Sequence, residues 1–292
     1  MYENQIHQIA NILAINLQRV KRTGILEGTL GVALFLYEYS RKFGYDSYSI
    51  IADNIVEYTI DNYLSKSERQ FSFGVFGIGW TMHTLKENRF IEIDKEAFSD
   101  IDKLANLRYS NFDVIGDLNA IFPLFSLGLY CIKQENEGLI EKAISALDVV
   151  KTVLEEKDYN ACYVISIIYF LQQCLKRNLS EKRCKDLLNH FLGIISIIIK
   201  KRKYNRSDIY IMQKLLAGNI LLKELFPIEV DYLKDVYCNW QTVIYMDEVR
   251  IDGLLQVEEL EFYMKSIECD IPDSFLGLNG LSSLGLNLIR KM

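Results

Sequence analysis

Three prolines are all that interrupt the 292 residues. A proline inside a helix costs about 3 kcal/mol, so their scarcity leaves long helices unbroken and argues against a turn-rich β fold. Histidine is as scarce: His7, His83 and His190 are scattered, and none stands at ligand spacing from a cysteine. The sequence signatures that carry their own chemistry are missing too. The chain has no Gly-x-Ser-x-Gly nucleophile turn, no His-Glu-x-x-His helix and no phosphate-binding Gly-Lys-Ser or Gly-Lys-Thr. Gly74, Gly77 and Gly79 come in the wrong order for a dinucleotide loop.

Positive charge is in deficit, with a net charge of −6, and Lys and Arg do not cluster into a patch. Counterion release from nucleic acid needs such clustering, so no nucleic-acid partner is expected. The run Lys200-Lys201-Arg202-Lys203 reads as a solvated helix end beside the negative pole of the helix dipole. The longest apolar runs, such as Phe191 to Ile199, fall short of the roughly 20 residues that a bilayer span requires. Met1-Tyr2-Glu3-Asn4-Gln5 lacks a charged-then-apolar export design. The six cysteines (131, 162, 174, 184, 238 and 269) show no paired spacing, and several lie inside apolar helical runs. A free thiol there acts as a small hydrophobe, which fits a reducing, cytoplasmic setting.

What the chain does have is a repeat. Gly28-Thr29-Leu30-Gly31 opens an apolar run, Gly74-Val75-Phe76-Gly77 opens a second, and Gly277-Leu278-Asn279-Gly280 opens a last one. A weaker copy, Asp113-Val114-Ile115-Gly116-Asp117-Leu118-Asn119-Ala120, lies between them. Repeats at a fixed period decide the architecture before any single residue does. Gly74 follows Gly28 by 46 residues and Gly116 follows Gly74 by 42. The period continues without glycines to Cys162, Asp208 and the Asp252-Gly253 pair, at steps of 46, 46 and 44. Each step has the length of one helical hairpin.

Within each step a striped helix alternates with one that is apolar on all sides. Ile6, Ile9, Leu13 and Leu17 form one stripe, Tyr48, Ile51, Ile55 and Tyr58 another. Ala97, Ile101 and Leu104 form a third, and Ile140, Ala143, Leu147, Val150 and Leu154 a fourth. Cys162 to Leu171, by contrast, is apolar all round. A helix apolar on every side must be covered on every side, whereas a striped helix can face water. The predicted fold is therefore all-α: an α/α toroid, with about seven inner helices ringed by outer ones, in a single domain over residues 1–292. Phe191 to Ile199 departs from the alternation, since it is nearly uniform where an outer helix is due. Gly44 is expected to end the first inner helix and Ser180 to cap the helix that follows it. Further helices are predicted over 208–226, 230–241 and 254–265.

These motifs resemble the lanthionine synthetase C-like family, α/α toroids whose inner helices open with Gly-x-x-Gly. Gly28-Thr29-Leu30-Gly31-Val32-Ala33-Leu34 is the closest match. The resemblance implies a role in peptide natural-product modification, where the enzymes of the family close thioether rings. It also implies a zinc ion held by two Cys and one His, which turns the substrate thiol into a thiolate nucleophile. In this register Ala161-Cys162-Tyr163 stands where the family has Ala-His-Gly. Ser207-Asp208-Ile209-Tyr210 replaces Trp-Cys-Tyr-Gly, and Ile251-Asp252-Gly253 replaces Cys-His-Gly. The resemblance thus implies a scaffold without its metal ligands, a pseudoenzyme that binds a peptide or a partner modification enzyme.

The candidate site residues follow from the same register. Asp113 stands where the family has an acid–base aspartate, although Asp117 and Ala120 replace the family's glycines. Asp208 and Asp252 open the fifth and sixth inner helices, and Cys162 opens the fourth. His83 lies one turn inside the second inner helix and is the histidine placed to look into the barrel. Each has a plainer reading, because Asp is an ordinary helix N-cap and Cys and His are ordinary core residues. Carboxylates gathered at one rim also suit glycoside hydrolysis, so an enzyme of that other chemistry is the alternative to a binding protein.

Overall fold

The alternation predicted from the apolar pattern produces an all-α chain. A computed structural model describes residues 2–20, 22–25, 28–63, 74–110, 121–156, 161–201, 276–278, 280–290 and 292. Among these, ten α-helices and two short 3₁₀ turns are present and no strand. The helices at 208–226, 230–241 and 254–265 lie outside the described residues, as do Asp113, Asp208 and Asp252. The chain divides into two compact units, Met1–Ile101 with Tyr245–Met292, and Asp102–Ile244.

In the first unit α1 (Glu3–Asn16) ends in a 3₁₀ turn at Leu17–Arg19. Ile6, Ile9 and Leu13 of the predicted stripe are buried, together with Ala10, while Leu17 in the turn is half-buried. Next come α2 (Thr29–Phe43), α3 (Asp46–Tyr63) and α4 (Val75–Glu87), then a 3₁₀ turn at Lys95–Phe98; α5 (Ser99–Ser110) follows, and from Asp102 on it belongs to the second unit. Every residue of α2 from Leu30 to Tyr37 is buried, as its uniform composition requires. Each large apolar side chain in that run contributes about 1.5–3 kcal/mol of burial. The helix packs against α3, α4 and α10 (Leu281–Arg290), and α10 also packs on α1.

The glycines at the helix openings serve close approach rather than unusual torsions. Gly28 precedes α2 with extended backbone, φ −127° and ψ −178°. A methyl group on it would collide with the backbone N and O of Gly24, and would stand 2.7 Å from the carbonyl oxygen of Arg22. One on Gly31 would meet the carbonyl oxygen of Ile25 and stand 2.8 Å from the backbone nitrogen of Leu278. The first and last glycine motifs are therefore in contact, joined further by the hydrogen bond from Leu278 N–H to Ile25 O at 3.3 Å. Only a residue without a side chain allows that spacing.

In the second unit α6 (Ile121–Lys133) carries Pro123 in its first turn, where no helical hydrogen bond is lost. Then follow α7 (Glu137–Glu156), α8 (Ala161–Lys176) and α9 (Glu181–Lys200). α8 packs on α6 and α9, and α7 packs on α6 and α9. The α7 stripe Ile140, Ala143, Leu147, Val150 and Leu154 is buried throughout, and α8 is buried continuously from Val164 to Leu171. α8 begins at Ala161, placing Cys162 in its first turn as the 46-residue step predicts.

Two sequence expectations need correction. The α3 stripe is rotated: Ala52, Ile55, Val56 and Thr59 are buried, while Tyr58 is 57% exposed. Thr59 can enter the core because its hydroxyl donates to the carbonyl oxygen of Ile55 at 2.7 Å. Tyr48 is only half-buried and donates its hydroxyl to Asn11 Oδ1 at 2.6 Å. The apparent anomaly in α9 dissolves, because Phe191, Ile194, Ile195 and Ile198 are buried while Ile197 is 48% exposed. That helix is striped after all, the exposed isoleucine having disguised it as uniform.

A second repeat, written in the backbone, accompanies the first. α2 ends at Gly44, whose φ of 74° is left-handed and whose N–H bonds to Ser40 O at 2.8 Å. α4, α6 and α8 end in the same sense at Arg89, Glu135 and Asn178, with φ of 58°, 55° and 57°. After α4 the Arg89 and Phe90 N–H groups close onto Lys86 O and Leu85 O. After α6 those of Glu135 and Asn136 close onto Ile132 O and Cys131 O, and after α8 those of Asn178 and Leu179 onto Leu175 O and Cys174 O. This is the two-bond Schellman closure, three times over. The left-handed residues follow one another by 45, 46 and 43 positions, the same period as the helix openings. Ser180 precedes α9 with a φ of 44°, and its carbonyl accepts the N–H of Cys184.

Candidate functional site

The described surface is indented by a groove of about 380 Å³ in the first unit. One wall is α3, where Asp53, Val56, Glu57, Ile60 and Asp61 recur at helical spacing and so share one face. The other wall is the segment Phe90-Ile91-Glu92, which the Schellman closure at Arg89 turns back beside the helices. Tyr37 of α2 forms part of the lining and donates its hydroxyl to Asp53 Oδ1 at 2.6 Å. Burial, and then the adjacent Asp53, raises the Tyr37 phenol well above the ordinary tyrosine range.

Phe90 is fixed by aromatic contacts. Its ring stacks on Tyr37 with centroids 4.9 Å apart and planes at 17°, and the Arg41 guanidinium carbon lies 3.6 Å from its centroid. Arg41 also donates to the carbonyl oxygen of Asn88, which pins the helix end that presents Phe90. The groove therefore combines an apolar, aromatic lining with four carboxylates, Asp53, Glu57, Asp61 and Glu92. Such a surface attracts positively charged groups, over a range limited to about 8 Å by physiological salt. Nothing in the glycine motifs pointed to it. The signal that could have found it is the spacing of Asp53, Glu57 and Asp61 by four on one helix face.

The residues singled out from the sequence fall elsewhere. His83 of α4 is half-buried and stacks flat on Phe98, with centroids 4.1 Å apart and planes at 18°. Cys162 lies in the first turn of α8. The remaining three, Asp113, Asp208 and Asp252, lie outside the described residues. His7 bonds through Nδ1 to the Tyr39 hydroxyl at 2.6 Å and lies among Phe43 and Tyr45. Burial, then the neighbouring Tyr48 and Tyr45, pushes Tyr39 up to about 12. His190 packs edge-on against Phe191.

A zinc site of the kind the resemblance implies needs three converging Cys, His or carboxylate ligands. Among the described residues no three such side chains converge in that way. The described histidines are engaged with aromatic rings, and Cys131, Cys174 and Cys184 are buried free thiols. These residues do not fit the metal. Among the described residues no helix is long and apolar enough to cross a membrane. In comparisons with known proteins, no family model matches the chain, and neither does any curated protein or solved structure.

Proposed function

We propose that the chain is a lanthionine synthetase C-like α/α toroid that binds a peptide, or a partner enzyme of peptide modification, without zinc-dependent cyclase activity. The observation that carries this reading is the hairpin period. It is marked in the sequence by the spacing of the helix openings, and in the backbone by left-handed residues at Gly44, Arg89, Glu135 and Asn178. A chain of equal helical hairpins whose first and last glycine motifs touch is what a ring of inner helices needs. The scaffold is kept while Cys162 stands where the family's histidine is expected. The groove beside α3 supports the binding half of the reading, since its carboxylates and aromatic lining suit basic side chains of a peptide.

The test combines metal analysis with a peptide assay. Protein purified from zinc-supplemented medium is expected to hold zinc well below one equivalent. A labelled cysteine peptide containing dehydrated serine is expected to bind and to keep its free thiol, as read by alkylation. One equivalent of zinc, or enzyme-dependent loss of the thiol, would overturn the reading. The alternative, acid–base chemistry by Asp113, Asp208 and Asp252 on a glycoside, predicts turnover that Asp113→Asn or Asp252→Asn abolishes.

A further inference from the structure

The groove beside α3 holds more negative charge than the chain itself answers. Asp53, Glu57, Asp61 and Glu92 are all exposed along it. Asp53 accepts the Tyr37 hydroxyl, whereas among the described residues no hydrogen bond or ion pair forms to Glu57, Asp61 or Glu92. Arg41 and Lys86 reach the 88–93 segment but donate to the carbonyl oxygens of Asn88 and Ile93. Asp53, Glu57 and Asp61 also stand one helical turn apart, where like charges repel and weaken the helix. The rest of the lining is largely apolar, with Tyr37 and Val56 buried and Ile60 and Ile91 half-buried. Long cationic side chains suit such a surface, since their methylene stems lie on apolar groups while their heads reach the carboxylates.

Resting on the peptide-binding reading above, we propose that the groove takes an extended peptide segment with basic residues at alternate positions. Spacing and size together select that shape. Four residues of helix rise about 6 Å, so Asp53, Glu57 and Asp61 form a ladder of about 12 Å. In an extended chain, side chains two residues apart point the same way and lie about 6.6 Å from each other, in step with the ladder. Adjacent basic residues point to opposite faces, so one of the two turns away from it. A partner helix also repeats charge at about 6 Å, one turn apart, but it is about 10–12 Å across. A length of about 12 Å of it fills roughly 900 Å³, more than twice the groove's volume of about 380 Å³. Glu57 and Asp61 receive the two cations, because Asp53 is already engaged by Tyr37, and Glu92 adds its charge from the other wall.

The experiment measures fluorescence anisotropy of the full-length chain with three labelled peptides: Gly-Ser-Arg-Ser-Arg-Ser-Gly, its isomer Gly-Ser-Ser-Arg-Arg-Ser-Gly, and Gly-Ser-Gln-Ser-Gln-Ser-Gly. The alternating arginine peptide is expected to bind about tenfold tighter than either control, with an affinity that falls as salt rises. Glu57→Gln combined with Asp61→Gln should weaken that binding by about tenfold. The same variant should melt no lower than its parent, because repulsion along α3 is relieved, so misfolding is not the cause of the loss. Equal affinity for the two arginine isomers, or full affinity in the double variant, would overturn the proposal. The dehydrated cysteine peptide, made without basic residues, is run beside them. If it binds and the alternating peptide does not, the proposal falls and the peptide-binding reading stands. If neither binds, both fall.

Discussion

Gly285 of α10 lies against the ring of Phe35 in α2, so closely that a methyl group on it would stand 2.8 Å from Cδ2 and 2.9 Å from Cζ. The same pairing recurs in the second unit. A methyl group on Gly128 of α6 would stand 2.6 Å from Cε2 of Phe170 in α8 and 2.9 Å from its Cδ2. Both contacts join helices of the type apolar on all sides, and both set a bare backbone against a buried aromatic face. Gly285→Ala gains up to about 1 kcal/mol of helix propensity but forces the ring aside, at about 1–3 kcal/mol for overpacking. The net expectation is a destabilisation of about 1–2 kcal/mol by denaturant unfolding. Phe35→Leu in the same chain should return part of that loss, because the two sites are coupled. An additive double mutant would show that the ring is not the obstacle.

Glycines elsewhere should answer differently to the same substitution. Gly44 has open space around it but a φ of 74°, so Gly44→Ala is expected to cost about 1 kcal/mol through backbone strain alone. Gly193 has equally open space and sits inside α9 with no positive φ. Gly193→Ala should therefore stabilise the protein by about 0.5–1 kcal/mol. Opposite signs in paired thermal melts are the expected result. Equal signs would mean that conformation does not decide the outcome.

The Tyr37–Asp53 bond makes a prediction about alkali. Tyr37 titrates above the ordinary tyrosine value of 10.0 in the folded chain, so the folded state holds that proton longer than the unfolded one. Stability from this group is complete below about pH 10 and falls as the pH rises beyond it, by at most about 1.4 kcal/mol per pH unit. Tyr130 in the second unit, buried and bonded to Asp102 at 2.8 Å, is raised as well and adds to the slope. Tyr37→Phe should cost about 1 kcal/mol at neutral pH, the worth of one hydrogen bond, and should make the alkaline decline shallower. Urea midpoints measured from roughly two pH units below the reference value to roughly one above it would check it. An unchanged alkaline slope would remove Tyr37 from the account.

Much of the fold was legible because burial leaves a period. The α7 stripe is buried where the three-and-four spacing placed it, as are Ile6, Ile9 and Leu13 of α1, and the uniform runs of α2 and α8 are buried on all sides. The α3 stripe was misplaced because tyrosine carries an apolar ring with a polar tip. Tyr58 looks like a core residue by composition yet is exposed, and Tyr48 is only half-buried, while Thr59 is buried through a backbone bond that composition does not reveal. The acidic groove was illegible because it needs Phe90 and Glu92 beside α3, a proximity set by the turn at Arg89 rather than by any local pattern. Of the five site residues read from the sequence, Asp113, Asp208 and Asp252 fall outside the described residues, Cys162 takes its predicted place in α8, and His83 lies on Phe98.

The left-handed helix ends carry the last prediction. Gly44, Arg89, Glu135 and Asn178 occupy equivalent positions, yet glycine stands at the first alone. A side chain in the left-handed region costs roughly 1–2 kcal/mol, less for asparagine, whose short amide bonds locally. Arg89→Gly and Glu135→Gly should therefore each stabilise the folded chain by about 0.5–1 kcal/mol, after the greater unfolded-state freedom of glycine is deducted. Asn178→Gly should change it by only a few tenths. Replacing the same three residues by valine should reverse the sign, since a β-branched side chain tolerates that conformation least. Guanidine unfolding of the six single variants would reveal the order. Glycine variants no more stable than their parents at positions 89 and 135 would mean that the backbone repeat does not govern these helix ends, and the hairpin period would then rest on the helix openings alone.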